Sequence, residues 1–276
     1  MDPLLDAAVR ALGVADEPRP LTAYHDTAWR VGPWKIKTAT APAARAALLH
    51  EVRAVRLLHA QGLHPADGRY GHVGEDLWTA VEFLAGVDLW QWCAPGRTTP
   101  DPDFAPRLLD IAHRAFAVLG RLHAAGWRHG DIQPWNILIT PTDDVAFIDH
   151  EYAHHRDLLP LAGPYRGGMD HATVPDVARR LLATTPDVHI HLSPADEHHA
   201  LAAALRWAWT GTTPETPRDV GPGVTLEDLL EDIAIGRHRI PLTDARPWPH
   251  ASLEALIEDA MAPNRATRAG ATAHPA

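Results

Sequence analysis

His129-Gly130-Asp131-Ile132-Gln133-Pro134-Trp135-Asn136-Ile137-Leu138, followed shortly by Phe147-Ile148-Asp149-His150-Glu151, is the stretch on which the reading of this chain turns. Two short β runs, Ile137–Ile139 and Val145–Ile148, flank a Pro141-Thr142-Asp143-Asp144 turn, so the pattern predicts a hairpin. Asp131 and Asn136 precede its first strand, and Asp149 follows its second. Phosphoryl transfer asks for a carboxylate that accepts the proton of an attacking hydroxyl, and for oxygen ligands that hold magnesium on the phosphates. An Asp, an Asn and a second Asp gathered by a hairpin meet that need. The plainer alternative is that Asp131 and Asn136 cap turns, as such residues often do.

Working outward, Leu108, Ala112, Ala115, Phe116, Leu119 and Leu122 form a helical stripe that stops at Gly126. Further upstream, residues 2–13 suit a short amphipathic helix ending at Gly13, followed by the connector Glu17-Pro18-Arg19-Pro20. Strands are expected at Ala28–Val31 and Trp34–Thr38, with Gly32-Pro33 as the turn. Pro42 opens a helix whose apolar positions include Ala44, Leu48, Val52, Val55 and Leu58. Val73 and Leu77–Leu84 suit two more strands, ended by Gly86. Downstream of Asp149, helices are expected near Val177–Ala183, Glu197–Trp209, Leu226–Ile235 and Ser252–Met261.

The run from His129 to Asn136 resembles the catalytic loop of the protein-kinase superfamily, H-x-D-x-x-x-x-N, and Ile148-Asp149-His150-Glu151 stands where that family has Asp-Phe-Gly. The resemblance covers roughly residues 22 to 268. It implies an α+β, two-lobed protein-kinase-like fold. The small β-rich N-lobe would be residues 1–84, with a helical extension over 1–20, and the mostly helical C-lobe residues 85–276. It also implies ATP and Mg2+ as cofactors, Asp131 as catalytic base, and Asn136 and Asp149 as metal ligands. Trp34-Lys35-Ile36-Lys37-Thr38 resembles the strand that carries the family's phosphate-binding Lys. Lys35 and Lys37 share a strand face; Lys37 is preferred because Trp34 and Ile36 then fall at the family's apolar positions, and Lys35 is the fallback. Glu51 is the implied ion-pair partner, although a charged helix residue is ordinarily just solvated surface. Val81-Glu82-Phe83-Leu84-Ala85-Gly86 resembles the hinge segment, so Glu82 and Leu84 would read adenine through their backbone. No G-x-G-x-x-G precedes the Lys strand; the corresponding stretch is Tyr24-His25-Asp26-Thr27-Ala28-Trp29-Arg30.

Two branches of the superfamily compete. Gly130 before the catalytic Asp, and Gln133 in place of the usual Lys, are similar to aminoglycoside-phosphotransferase relatives, which often lack the glycine-rich loop as well. Val174-Pro175-Asp176 resembles instead the protein-kinase Ala-Pro-Glu. Asp196, with Thr210-Gly211-Thr212-Thr213-Pro214 after it, and Asn264-Arg265-Ala266-Thr267-Arg268 resemble further protein-kinase elements in their proper order. In that account Asp176 pairs with Arg268, Asp196 braces the catalytic-loop backbone, and Tyr165 and Arg166 belong to a substrate platform over 164–175. The expected acceptor is therefore a Ser/Thr of a protein or precursor peptide. A small hydroxylated molecule is the alternative, and a nucleotide-binding pseudokinase is a third.

A formal charge of −10 in 276 residues argues against nucleic acid or an anionic membrane as partner. Cys93 is the only cysteine, so neither an intrachain disulfide nor a cysteine-rich zinc site can form. The nineteen His residues include no His-Glu-x-x-His. With no signal-like N-terminus and no run of about 18 apolar residues, a cytoplasmic location is expected.

Overall fold

The structure is a computed structural model that describes residues 2–21, 28–98, 103–168, 170–213, 225–237 and 239–262. The chain is α+β with antiparallel sheets, and it divides into two compact units. One comprises Met1–Ala85 with Asp149–Ala153, the other Gly86–Ile148 with His154–Ala276. The boundary drawn from the sequence followed Leu84 and did not anticipate that 149–153 would join the first unit.

In the first unit, α1 (Pro3–Leu12) is capped by Asp2, whose carboxylate accepts the Leu4 N–H, and closes on Gly13 in the left-handed region. Strands β1 (Arg19–Pro20), β2 (Ala28–Val31), β3 (Trp34–Ala39), β4 (Gly68–Val73) and β5 (Asp76–Glu82) form one antiparallel sheet in the order β1-β2-β3-β5-β4. Strand alternation sends Trp34 and Ile36 into a core shared with Leu5 and Ala8 of α1. Lys35 and Lys37 project from the opposite face, where α2 (Pro42–Ala60) presents Glu51. Gly68 lies so close to α2 that a Cβ there would stand 2.8 Å from the Val52 side chain.

The second unit begins with β6 (Val87–Asp88), α3 (Leu89–Thr98) and α4 (Phe104–Ala124). Helix α3 escaped the sequence reading because Pro95 and Gly96 break its pattern; Gly96 allows the Phe104 ring to pack against its backbone. Next come β7 (Trp127–Arg128), a 3-10 turn at Pro134–Asn136, β8 (Ile137–Ile139), β9 (Val145–Phe147) and β10 (His154–His155). The expected hairpin is β8–β9, with β6 added along its edge; β10 pairs with β7. The remaining helices are α5 (Pro175–Leu182), α6 (Pro194–Thr210), α7 (Leu226–Ile235), α8 (Leu242–Ala245) and α9 (Ala251–Ala260). Helix α6 is buried on most of its circumference, as a central core helix must be. Its Ser193–Asp196 capping box fixes its start.

No helix among the described residues is long and apolar enough to cross a membrane.

Candidate active site

In the first unit, the register of β3 on β5 places Lys37 opposite Thr79. From there Lys37 Nζ donates to both oxygens of Glu51, at 2.8 and 3.0 Å, and to Asp149 Oδ1 at 3.1 Å. Glu51 is only 6% exposed, so it is a buried ion-pair partner rather than solvated surface. Burial alone would lower the Lys37 pKa, but Glu51 and Asp149 outweigh it and hold the amine firmly protonated. Burial would raise the Asp149 pKa, yet Lys37 and Lys35 pull it down to about 2. Lys35 shares the face; its pKa is lowered by burial and then by the Lys37 charge. Of the two lysines, it is Lys37 whose ammonium bridges both carboxylates.

Asp149 adopts φ 63°, a left-handed backbone that costs an L-residue energy and that Asp tolerates better than most. Its segment is fastened within the same unit. His50 Nε2 lies 2.7 Å from the Ala153 carbonyl oxygen, and the His64 and His150 rings meet edge to face.

In the second unit, Asn136 Nδ2 donates to Asp131 Oδ2 at 2.9 Å and to the Asp131 carbonyl at 3.0 Å. Gln133 Nε2 donates to the same Oδ2 at 2.7 Å. The carboxylate is thereby oriented through one oxygen. Gly168 lies against the other, since a Cβ at Gly168 would stand 2.7 Å from Oδ1 and 2.5 Å from the Gly130 carbonyl. His129 accepts the Asp131 N–H at Nδ1, which leaves Nε2–H to donate to the Ile148 carbonyl at 3.1 Å. Ile148 N–H in turn donates to the Asn136 carbonyl at 2.9 Å, tying the hairpin to the loop.

Several supports were not legible in the sequence. Glu197, on α6, accepts the Gly130 N–H at 2.8 Å and contacts His123 Nε2 at 2.7 Å. The expected brace was Asp196; its Oδ2 accepts from Ser193 in the capping box and faces Arg180, while the bond to the Gly130 N–H comes from the next residue. Tyr165 is 4% exposed, and its hydroxyl donates to the Gly130 carbonyl. The Arg166 guanidinium is spent on the Leu181, Thr184 and Val188 carbonyls and the Thr184 hydroxyl. The expectation that this pair forms a surface platform is therefore corrected: both turn inward, because backbone carbonyls need donors there. Asp176 pairs with Arg179, while its expected partner Arg268 lies outside the described residues. So do Tyr24–Thr27, Pro214 and Asn264–Thr267.

Trp135, 37% exposed within the loop, lies tilted against Trp90 at a ring separation of 5.6 Å and edge to face with Trp207 at 5.1 Å, and His171 joins Trp207 at 5.8 Å. Asp170 is exposed, yet partial desolvation raises its pKa, with the Asp131 charge adding to the rise and His171 opposing it. A second carboxylate thus lies within electrostatic reach of Asp131.

Glu82 ends β5, where its carboxylate accepts the Asp67 N–H, and Leu84 lies half-buried just beyond the strand. Neither belongs to the Lys37 cluster. Among the described residues no group of three or more His, Cys, Asp or Glu is arranged to hold a metal. Magnesium needs less from a protein: one or two hard oxygen donors, with phosphates and water completing the shell. In the first unit Asp149 is a donor of that kind, and in the second unit the Asn136 side chain keeps its Oδ1 as one while Nδ2 binds Asp131.

No protein-family model matches the chain, and no curated protein matches it significantly.

Proposed function

We propose that the protein is an ATP-dependent phosphotransferase with a two-lobed kinase-like fold that moves the γ-phosphoryl group to a hydroxyl. The observation that carries this reading is the bridge from Lys37 to Glu51 and to Asp149, the latter held in left-handed backbone. Burying a paired charge and straining a backbone both cost stability, and such costs concentrate where a function requires them. Glu51 aims the Lys37 ammonium, which neutralises phosphate oxygens. Magnesium would neutralise charge on the phosphates, with Asp149 and Asn136 as its protein donors.

Asp131 Oδ1 accepts the proton of the acceptor hydroxyl while Oδ2 stays fixed by Gln133 and Asn136. The hydroxyl oxygen bonds to the γ-phosphorus as the bond to the β-phosphate oxygen breaks. The products are ADP, a phosphate ester and one proton on Asp131. Gly168 lies close to Oδ1, where any side chain would crowd it.

Two acceptor classes follow from the sequence, and a specific observation favours the second. A protein or peptide acceptor was expected to meet Tyr165 and Arg166 on the platform over 164–175, and both side chains are committed inward. A small hydroxylated acceptor gains Asp170, within electrostatic reach of Asp131, as a carboxylate for an amine, together with the partly exposed Trp135. The test is γ-labelled ATP and magnesium offered with a panel of amine-bearing alcohols and, separately, with Ser/Thr peptides. Label on the small molecules supports both parts of the proposal. Label on peptides alone overturns the acceptor class, and no transfer to any acceptor overturns the function.

A further inference from the structure

A cavity of about 540 Å³ in the second unit is not part of the loop that carries Asp131. It lies where β7 and β10 pair and is bordered by His189, His191 and Leu192. Four imidazoles (His154, His155, His189 and His191) and two guanidiniums, Arg128 and Arg156, line it. Its one carboxylate, Asp157, stands at the rim beside Arg156, 3.6 Å away and well exposed.

Imidazoles in such number suggest a metal or an anion, and the geometry separates the two. No group of these residues is disposed to hold a metal ion. Nδ1 of His155 accepts the Asp157 and Leu158 N–H groups, and Nδ1 of His189 accepts the Tyr165 N–H. In neutral rings this places the hydrogen on Nε2, so both present donors. Gly126 makes room for one of them, since a Cβ there would meet His155 Nε2 at 2.7 Å. Arg128 bonds the Leu192 and Trp127 carbonyls, and no carboxylate among the described residues pairs with it. The cavity therefore offers donors and positive charge from three chain segments. Its volume exceeds what a bare oxyanion fills, and Pro160, Leu161 and Leu192 supply apolar wall.

We propose that this cavity binds a small phosphate monoester, its phosphate held by Arg128, Arg156 and the imidazole donors and its organic part against Leu161 and Leu192. Three terminal oxygens can meet donors from three directions, which the two in-plane oxygens of a carboxylate cannot. The same segment reaches the catalytic loop. Ile190 N–H donates to the Tyr165 carbonyl, and the Tyr165 hydroxyl to that of Gly130, so a ligand that stiffens 189–191 also stiffens the support beneath Asp131. The proposal does not rest on the phosphotransfer reading, and its test uses no nucleotide.

The experiment titrates the full chain with O-phosphoserine, serine and inorganic phosphate by calorimetry, with histidine side-chain NMR on the same samples. Arg156→Glu and His191→Ala are the variants, because Arg156 is 92% exposed and His191 is exposed as well, so neither supports the fold. The expected result is one-to-one binding of O-phosphoserine, at least about tenfold tighter than inorganic phosphate, with none for serine. His189 and His191 signals should shift, and Arg156→Glu should weaken binding by about tenfold or more. Absence of saturable binding, equal affinity for inorganic phosphate, or unchanged affinity in Arg156→Glu would each overturn it.

Discussion

Replacing Glu197 should reveal how much of the catalytic loop's position depends on α6. The side chain is 2% exposed, with Oε1 on the Gly130 N–H and Oε2 on His123. A hydrogen bond to a charged group contributes about 1.5–3 kcal/mol, and stripping one partner from a buried pair costs about 3–5 kcal/mol. Glu197→Ala removes both bonds and leaves two buried groups unmatched, so a loss of about 3–5 kcal/mol is expected. Glu197→Gln keeps the shape but has one acceptor for two donors. His123 could change tautomer to accept from the new amide, but its Nδ1, buried and without a hydrogen-bond partner, would then carry an unmatched hydrogen. Relief is therefore partial, and a loss of about 1.5–3 kcal/mol remains. Urea unfolding of wild type, both variants, His123→Ala and the double variant closes a mutant cycle. If Glu197→Ala fell within about 1 kcal/mol of wild type, the anchoring role would be refuted.

Further outcomes follow from particular side chains. Asp131→Asn should reduce phosphoryl transfer by about a hundredfold or more while the unfolding midpoint stays put, measured with labelled ATP. Gly168→Ala drives a methyl against Asp131 Oδ1 and the Gly130 carbonyl, so turnover should fall several-fold by the same assay. Burial, then the His123 charge, depress the His198 pKa to about 4. The unfolded chain thus binds the extra proton first, and stability present above about pH 6.5 should fall by about 3 kcal/mol as pH drops towards 4; denaturant titrations of wild type and His198→Gln across that range would show it. Thr173 is buried and Gly130 has no side chain to grip a phosphate, so phosphatase treatment should leave activity unchanged.

What the sequence disclosed, and what it hid, follows from the range of the interactions. Strand alternation and the Gly32-Pro33 turn made β2 and β3 readable, and the β8–β9 hairpin was readable from its turn residues. Lys37 was preferred to Lys35 on pattern alone; its ammonium and the Glu51 carboxylate meet because β3 and α2 pack face to face, which no local pattern states. Glu197 was missed because Asp196 beside it looks the same in sequence, and only helix phase decides which carboxylate faces Gly130. Tyr165 and Arg166 sit in an irregular segment, where direction is set by which carbonyls lack donors. The Trp90, Trp135 and Trp207 cluster joins residues far apart in the chain, and the histidine-lined cavity likewise draws on three segments.

The account's central claim is that Lys37, Glu51 and Asp149 form a nucleotide-phosphate site, and calorimetric titration with ATP tests it most directly. The full chain should bind ATP one-to-one in the presence of magnesium and far more weakly once magnesium is chelated. Lys37→Met and Asp149→Asn, each confirmed folded by circular dichroism, should both weaken binding by about tenfold or more. Absence of magnesium-dependent ATP binding, or affinity unchanged in both variants, would contradict the claim.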